Sequence, residues 1–182
     1  GKKIFIAGHT YGNPGDKNLS TYPKLIDHLN KDNKRYQYAF LAGDIVFKAN
    51  KDNFIQVKSE LSKFFENIFV APGNHDLEND SNNLNAKNDF SSVFNKNFQS
   101  LNINGNNFIL LDSTIKQGKI SNDQISFLEN EIKKKKDVKN IFVISHHVIW
   151  QNYVTNKIAS NAPKNLFEDD NFKDVVSLFN NI

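Results

Sequence analysis

The sequence predicts a single α/β layered domain, and two observations carry that reading. Short apolar runs recur at residues 4–7, 38–42, 68–71, 108–111 and 141–144, and each is continuous rather than alternating. Strands that are apolar at every position are covered on both faces, as in sheets joined by crossover helices. Between the runs lie segments with helical spacing, so strand and helix alternate along the chain. At 182 residues, 38% hydrophobic and 24% charged, the chain supports one substantial core.

Each element has its own signal. The run 4–7 forms the first strand. Tyr22, Leu25, Ile26 and Leu29 share one helical face behind a Ser20/Thr21 cap, with Pro23 in the first turn. The run 38–42 is the second strand, and Val57, Leu61, Phe64 and Phe65 repeat the helical spacing before the third strand at 68–71. Residues 77–88 are rich in Asn and Asp and have no period, which predicts a loop. Asn104-Gly105 marks a hairpin turn, so the region 98–111 adds antiparallel pairing. Ser121 and Gln124 make a capping-box pattern ahead of Ile125, Leu128 and Ile132. The run Lys133 to Lys136 closes that helix, where cations suit the negative end of the helix dipole. It reads as a solvated helix end. The strand at 141–144 follows, and residues 174–179 carry one more helical pattern.

Composition narrows the function classes. The formal charge is +3, from 23 basic and 20 acidic residues that are scattered outside the lysine run, so no nucleic-acid footprint is present. The chain has no cysteine, which rules out a disulfide framework and a thiolate metal site; any metal must use oxygen and imidazole donors. The apolar runs fall far short of the ~20 residues that span a bilayer, and nothing resembles a secretory signal. The reading is a cytoplasmic protein without membrane association.

The chemistry sits at the strand ends. Gly8-His9, Gly43-Asp44, Gly73-Asn74-His75-Asp76, Asp112 and Ser145-His146-His147 each follow an apolar run. In crossover sheets the carboxyl ends of the strands and the loops after them form the site, so these residues are expected to converge. Glycines beside them allow sharp turns and close approach. His, Asp and Asn without Cys suit Mn, Fe or Zn, and a carboxylate can bridge two such ions.

These blocks resemble the calcineurin-like metallophosphoesterase family, whose signatures are DxH, GDxx, GNH followed by Asp or Glu, a later His, and GHxH. Leu41 to Val46 is similar to the second block, Ala71 to Asp76 to the third and Ile144 to His147 to the fourth; Leu110 to Ser113 and Gly118 to Ile132 are similar to the stretch between the third and fourth blocks. The resemblance implies a four-layer αββα sandwich with the site at the shared edge of two sheets. It implies that Asp44 bridges two divalent ions, Asn74 and His146 bind the second ion, and His9 binds the first. His75 would protonate the leaving group or stabilise the transferring phosphoryl, and Asp76 would orient the His75 ring. The implied activity is that of a hydrolase, a phosphatase or diesterase acting on a small phosphoester through a metal-bridging hydroxide.

Two departures accompany the resemblance. Ala7 occupies the place of the first Asp of DxH, so one or two ions are both open; Asp16 in the following loop is a candidate substitute. No GHxH follows His147, and the expectation is a single domain over 1–182 lacking its C-terminal part. The alternative reading is a non-catalytic phosphate- or partner-binding module with an incomplete metal site. Asp112 reads as a hydrogen-bonding residue behind the site, and Trp150 and Tyr153 read as packing. Substrate choice would rest with the loops at 12–18 and 151–164.

Overall fold

Strands apolar on both faces need cover on both sides, and the chain supplies it in four layers. The computed structural model describes residues 3–12, 20–78, 83–115, 119–147 and 177–178. Its elements run β1 (Ile4–Ala7), α1 (Pro23–Asp32), β2 (Tyr36–Ala42), α2 (Lys51–Leu61), β3 (Phe65–Ala71), α3 (Leu84–Phe94), β4 (Gln99–Ile103), β5 (Asn106–Leu110), α4 (Asn122–Lys133), a 3-10 turn (Lys134–Asp137) and β6 (Asn140–Ile144). Among the described residues β1, β2 and β3 form one parallel sheet. In the second, β4 pairs antiparallel with β5 and β5 pairs parallel with β6.

Three apolar clusters mark the three interfaces between layers. Leu41 and Val70 of the first sheet pack with Leu29, Phe54, Leu61 and Phe90 from α1, α2 and α3. The neighbouring positions Phe40 and Ala71 point the other way and meet Phe108, Leu110 and Ile144 of the second sheet. Ile109 and Leu111 then face Leu128 and Ile132 of α4. Successive strand residues thus serve opposite layers, as the pleat requires. At the centre Phe40 stacks on Phe108 at 4.4 Å between centroids and 6° between planes. The result is the four-layer αββα sandwich implied by the resemblance.

Several local expectations are corrected. Residues 77–88 are not one loop: Asn83 accepts hydrogen bonds from the N–H groups of Asn85 and Ala86 and starts α3, whose Ala86, Phe90, Val93 and Phe94 are buried. Phe64 and Phe65 do not extend the second helix, which ends at Leu61; Phe65 begins β3 beside Tyr36. Tyr22, rather than Ser20 or Thr21, precedes α1, with Pro23 as its first residue and no side-chain cap. Ser121 caps α4 as expected, but Gln124 turns away from the cap and pairs with both backbone groups of Asp112. No helix among the described residues is long and apolar enough to cross a membrane. Asp16, Trp150, Tyr153 and the 151–164 loop lie outside the described residues, as does most of the 174–179 helical pattern.

Candidate active site

Parallel pairing of β1 with β2, β2 with β3 and β5 with β6 sends the carboxyl ends of each sheet's parallel strands the same way. Three of the loops then close on one another through glycine. A Cβ on Gly43, which has φ +73°, would lie 2.5 Å from the Gly73 nitrogen and 2.9 Å from His146 Cβ. A Cβ on Gly73 would lie 2.3 Å from both the Asp44 nitrogen and its Oδ1. Only bare backbone fits there. That contact brings the loops after β2, β3 and β6 together.

Asp76 fastens the junction. Its fully buried carboxylate accepts hydrogen bonds from Asp44 N–H at 2.8 Å, Ile45 N–H at 3.0 Å, Val46 N–H at 3.2 Å and Gly73 N–H at 2.8 Å. Three successive amides form an anion-binding nest around it. Burial pushes its pKa up to about 7, with the nearby Asp44 charge adding to the rise and the Gly73, Val46 and Ile45 amides opposing it. The role implied for Asp76, orienting the His75 ring, is therefore corrected: both its oxygens are committed to the backbone. What it orients is Asp44. That residue is held at φ +53°, and His9 at φ +54°, a conformation uncommon for residues with a side chain. His9 N–H to Gly43 O and Thr10 N–H to Asp44 O, both 2.9 Å, lock the two turns together.

Two of the expected metal donors, His9 and His146, reach the Asp44 carboxylate, and a third, Asn74, meets His146. His9 Nδ1 lies 3.2 Å from Asp44 Oδ2, and His146 Nε2 lies 3.5 Å from the same oxygen. His146 Nε2 is also 3.0 Å from Asn74 Oδ1. The other nitrogen, His146 Nδ1, sits 3.0 Å from Ala42 O and must carry the hydrogen there. In the neutral ring this leaves an Nε2 lone pair facing two acceptor oxygens. Like partners repel unless a proton or a cation lies among them. A backbone carbonyl on the far nitrogen is also the usual support of a metal-bound imidazole. Donor atoms on one ion stand roughly 3.0–3.5 Å apart when the metal bonds are about 2.0–2.2 Å, so the spacing and the donor chemistry fit a divalent cation. No group of three or more His, Cys, Asp or Glu among the described residues is arranged to hold a metal by itself. Any ion at this place would therefore draw on the Asn74 amide as well.

The remaining candidates take separate places. His75 stands beside the donors, with its N–H on Asp44 Oδ1 at 3.1 Å and its ring Nδ1 on Phe47 O at 2.9 Å. His147 is buried behind the site, where Ser113 Oγ lies 3.2 Å from Nδ1 and accepts the His147 N–H at 3.0 Å. Burial, then the neighbouring His146, lowers its pKa to about 4, so the ring is neutral. Asp112 bonds the N–H and hydroxyl of Thr114 through Oδ1 and serves the framework. Ala7 packs against the cluster on the helix side of the first sheet and offers no donor. Sequence reasoning missed Tyr11 and Phe47, whose rings surround His75; in loops no period distinguishes such aromatics from packing.

A family model of calcineurin-like phosphoesterases matches residues 4–177. No curated protein matches the chain. Among solved structures it is similar to a crystal structure of a single mutant of Vps29 from Entamoeba histolytica, with 12% identity, a TM-score of 0.40, and coverage of 87% of this chain and 69% of that one.

Proposed function

The chain belongs to the calcineurin-like phosphoesterase family, and on that premise we propose that it hydrolyses a phosphomonoester or phosphodiester with divalent metal held around Asp44. The observation that carries this reading is the convergence of His146 Nε2, Asn74 Oδ1 and Asp44 Oδ2, with the Ala42 carbonyl fixing which imidazole nitrogen faces inward. Asp44, Asn74 and His146 would hold one ion, and His9 with Asp44 a second. Mn, Fe or Zn suits nitrogen and oxygen donors without thiolate. Bound there, such ions would supply Lewis-acid polarisation of a phosphoryl oxygen and an acidified water.

The chain's own groups supply position and a proton. Asp76 and the Gly43–Gly73 contact set the Asp44 carboxylate before any ligand arrives. With Nδ1 on Phe47 O, His75 keeps Nε2 as the nitrogen able to hold a proton and pass it to the departing alkoxide. Hydrolysis of p-nitrophenyl phosphate and its diester, with added Mn, tests the reading. Turnover is expected to need metal, to vanish in Asp44→Asn, and to fall ~10²–10⁴-fold in His75→Ala with metal binding kept. An active Asp44→Asn variant would contradict it.

A second reading has one specific observation behind it. Ala7 places a methyl where the family signature carries a carboxylate, which favours a module that binds phosphate or a partner without turnover. Metal binding without hydrolysis of either ester would select it.

A further inference from the structure

We propose that Tyr11 and Phe47 are positioning residues that set the imidazole of His75; the proposal rests on the reading of His75 as the leaving-group acid. A proton donor must reach the departing oxygen along one direction, and a lone imidazole on a loop has several rotamers to choose from. His75 has no carboxylate to fix it from the neighbouring position, because Asp76 is fully occupied by backbone amides. Phe47 acts in that place twice. Its carbonyl receives Nδ1 at 2.9 Å, and its ring stacks on the imidazole at 5.3 Å and 26°. Tyr11 supports the same ring at 5.2 Å and 54°, touches Phe47 at 5.7 Å and 61°, and reaches His9 at 4.5 Å.

The two aromatics are themselves anchored differently. Tyr11 is 4% exposed, and its segment bridges Thr21 and bonds Ser20 O through Gly12 N–H. It is a fixed backstop shared by His9 and His75. Phe47 is 37% exposed, so its ring can be shortened without opening the core. Of the two histidines, the Phe47 ring meets His75 directly, whereas the Tyr11 ring meets both His75 and His9.

The test compares Phe47→Leu, Phe47→Tyr and His75→Ala with the parent chain. In metal-free protein, the Hα–Hβ couplings of His75 should report one χ1 rotamer in the parent chain and in Phe47→Tyr, and averaging over several rotamers in Phe47→Leu. In the metal-loaded protein, Phe47→Leu should slow hydrolysis of an alkyl phosphate ~10-fold more than that of p-nitrophenyl phosphate, because a poor leaving group needs the proton and a good one does not. His75→Ala should show the same bias, more strongly. A single His75 rotamer retained in a folded Phe47→Leu chain overturns the proposal, as does an unbiased Phe47→Leu beside a biased His75→Ala. If His75→Ala itself shows no bias, the reading of His75 as an acid fails, and the rotamer couplings alone decide whether Phe47 sets the ring.

Discussion

The carboxylates of Asp76 and Asp44 stand in neighbouring loops joined by the Asp44 N–H, yet they do opposite work. Asp76 accepts four amide hydrogen bonds in a fully buried place, while Asp44 keeps Oδ2 among imidazoles. Asp76→Asn puts an NH₂ group against N–H donors, so it should cost about 3 kcal/mol in urea unfolding and weaken metal binding through Asp44. His75→Ala should leave stability nearly unchanged. Equal stability losses in the two variants would contradict this division. Gly73→Ala should damage the same junction, since its Cβ would overlap Asp44. The sequence made the candidate donors legible as a group because their blocks stand at strand ends in order. It could not make Asp76's task legible, because the nest is built from amides about 30 residues away. Tyr11 and Phe47 stayed hidden for the same reason: their meaning is a ring contact across loops.

At the scale of elements, the strongest local predictions concern α2 and α3. Asn50 Oδ1 accepts the Asn53 N–H at 2.8 Å, so Asn50→Ala should cost about 1 kcal/mol. Phe90 is fully buried and meets Phe54 edge to face at 5.6 Å and 88°. Phe90→Ala should cost about 3–5 kcal/mol in chemical denaturation, while Leu84→Ala, at 70% exposure on the same helix, should be near neutral. A loss below 1 kcal/mol for Phe90→Ala would contradict the packing of α3. Strand ends leading into the site were readable because glycine and polar residues stop the apolar runs. Strand beginnings were not, since Tyr36 and Phe65 pack into the helix-side cluster as a helical face would. The start of α3 was masked by Asn-rich sequence, in which the capping Asn83 looks like any turn residue.

For the whole molecule, the order of layers followed from two-sided strands, while the antiparallel β4–β5 pair needed only the Asn104-Gly105 turn. The outer α4 layer is tied down partly by charge. Glu131 receives a hydrogen bond from Asn107 at 2.8 Å and pairs with Lys134. Burial raises its pKa, but hydrogen bonds from Lys134, Asn107 and Ser100 outweigh that and hold it below the usual value of 4.5. A depressed folded pKa gives stability that is present above the unfolded pKa and lost as pH falls through the folded one. The stability gap between the parent chain and Glu131→Gln should therefore shrink below about pH 4.5, read by denaturant unfolding at neutral and acid pH. A gap that widens in acid would contradict the pairing. The same framework holds Asp44 at the site edge, and calorimetric titration of metal-free protein with Mn or Zn tests that claim most directly. The prediction is binding of a divalent ion by the parent chain, lost in a folded Asp44→Asn variant. Equal binding by both, or none by the parent chain, would contradict the account.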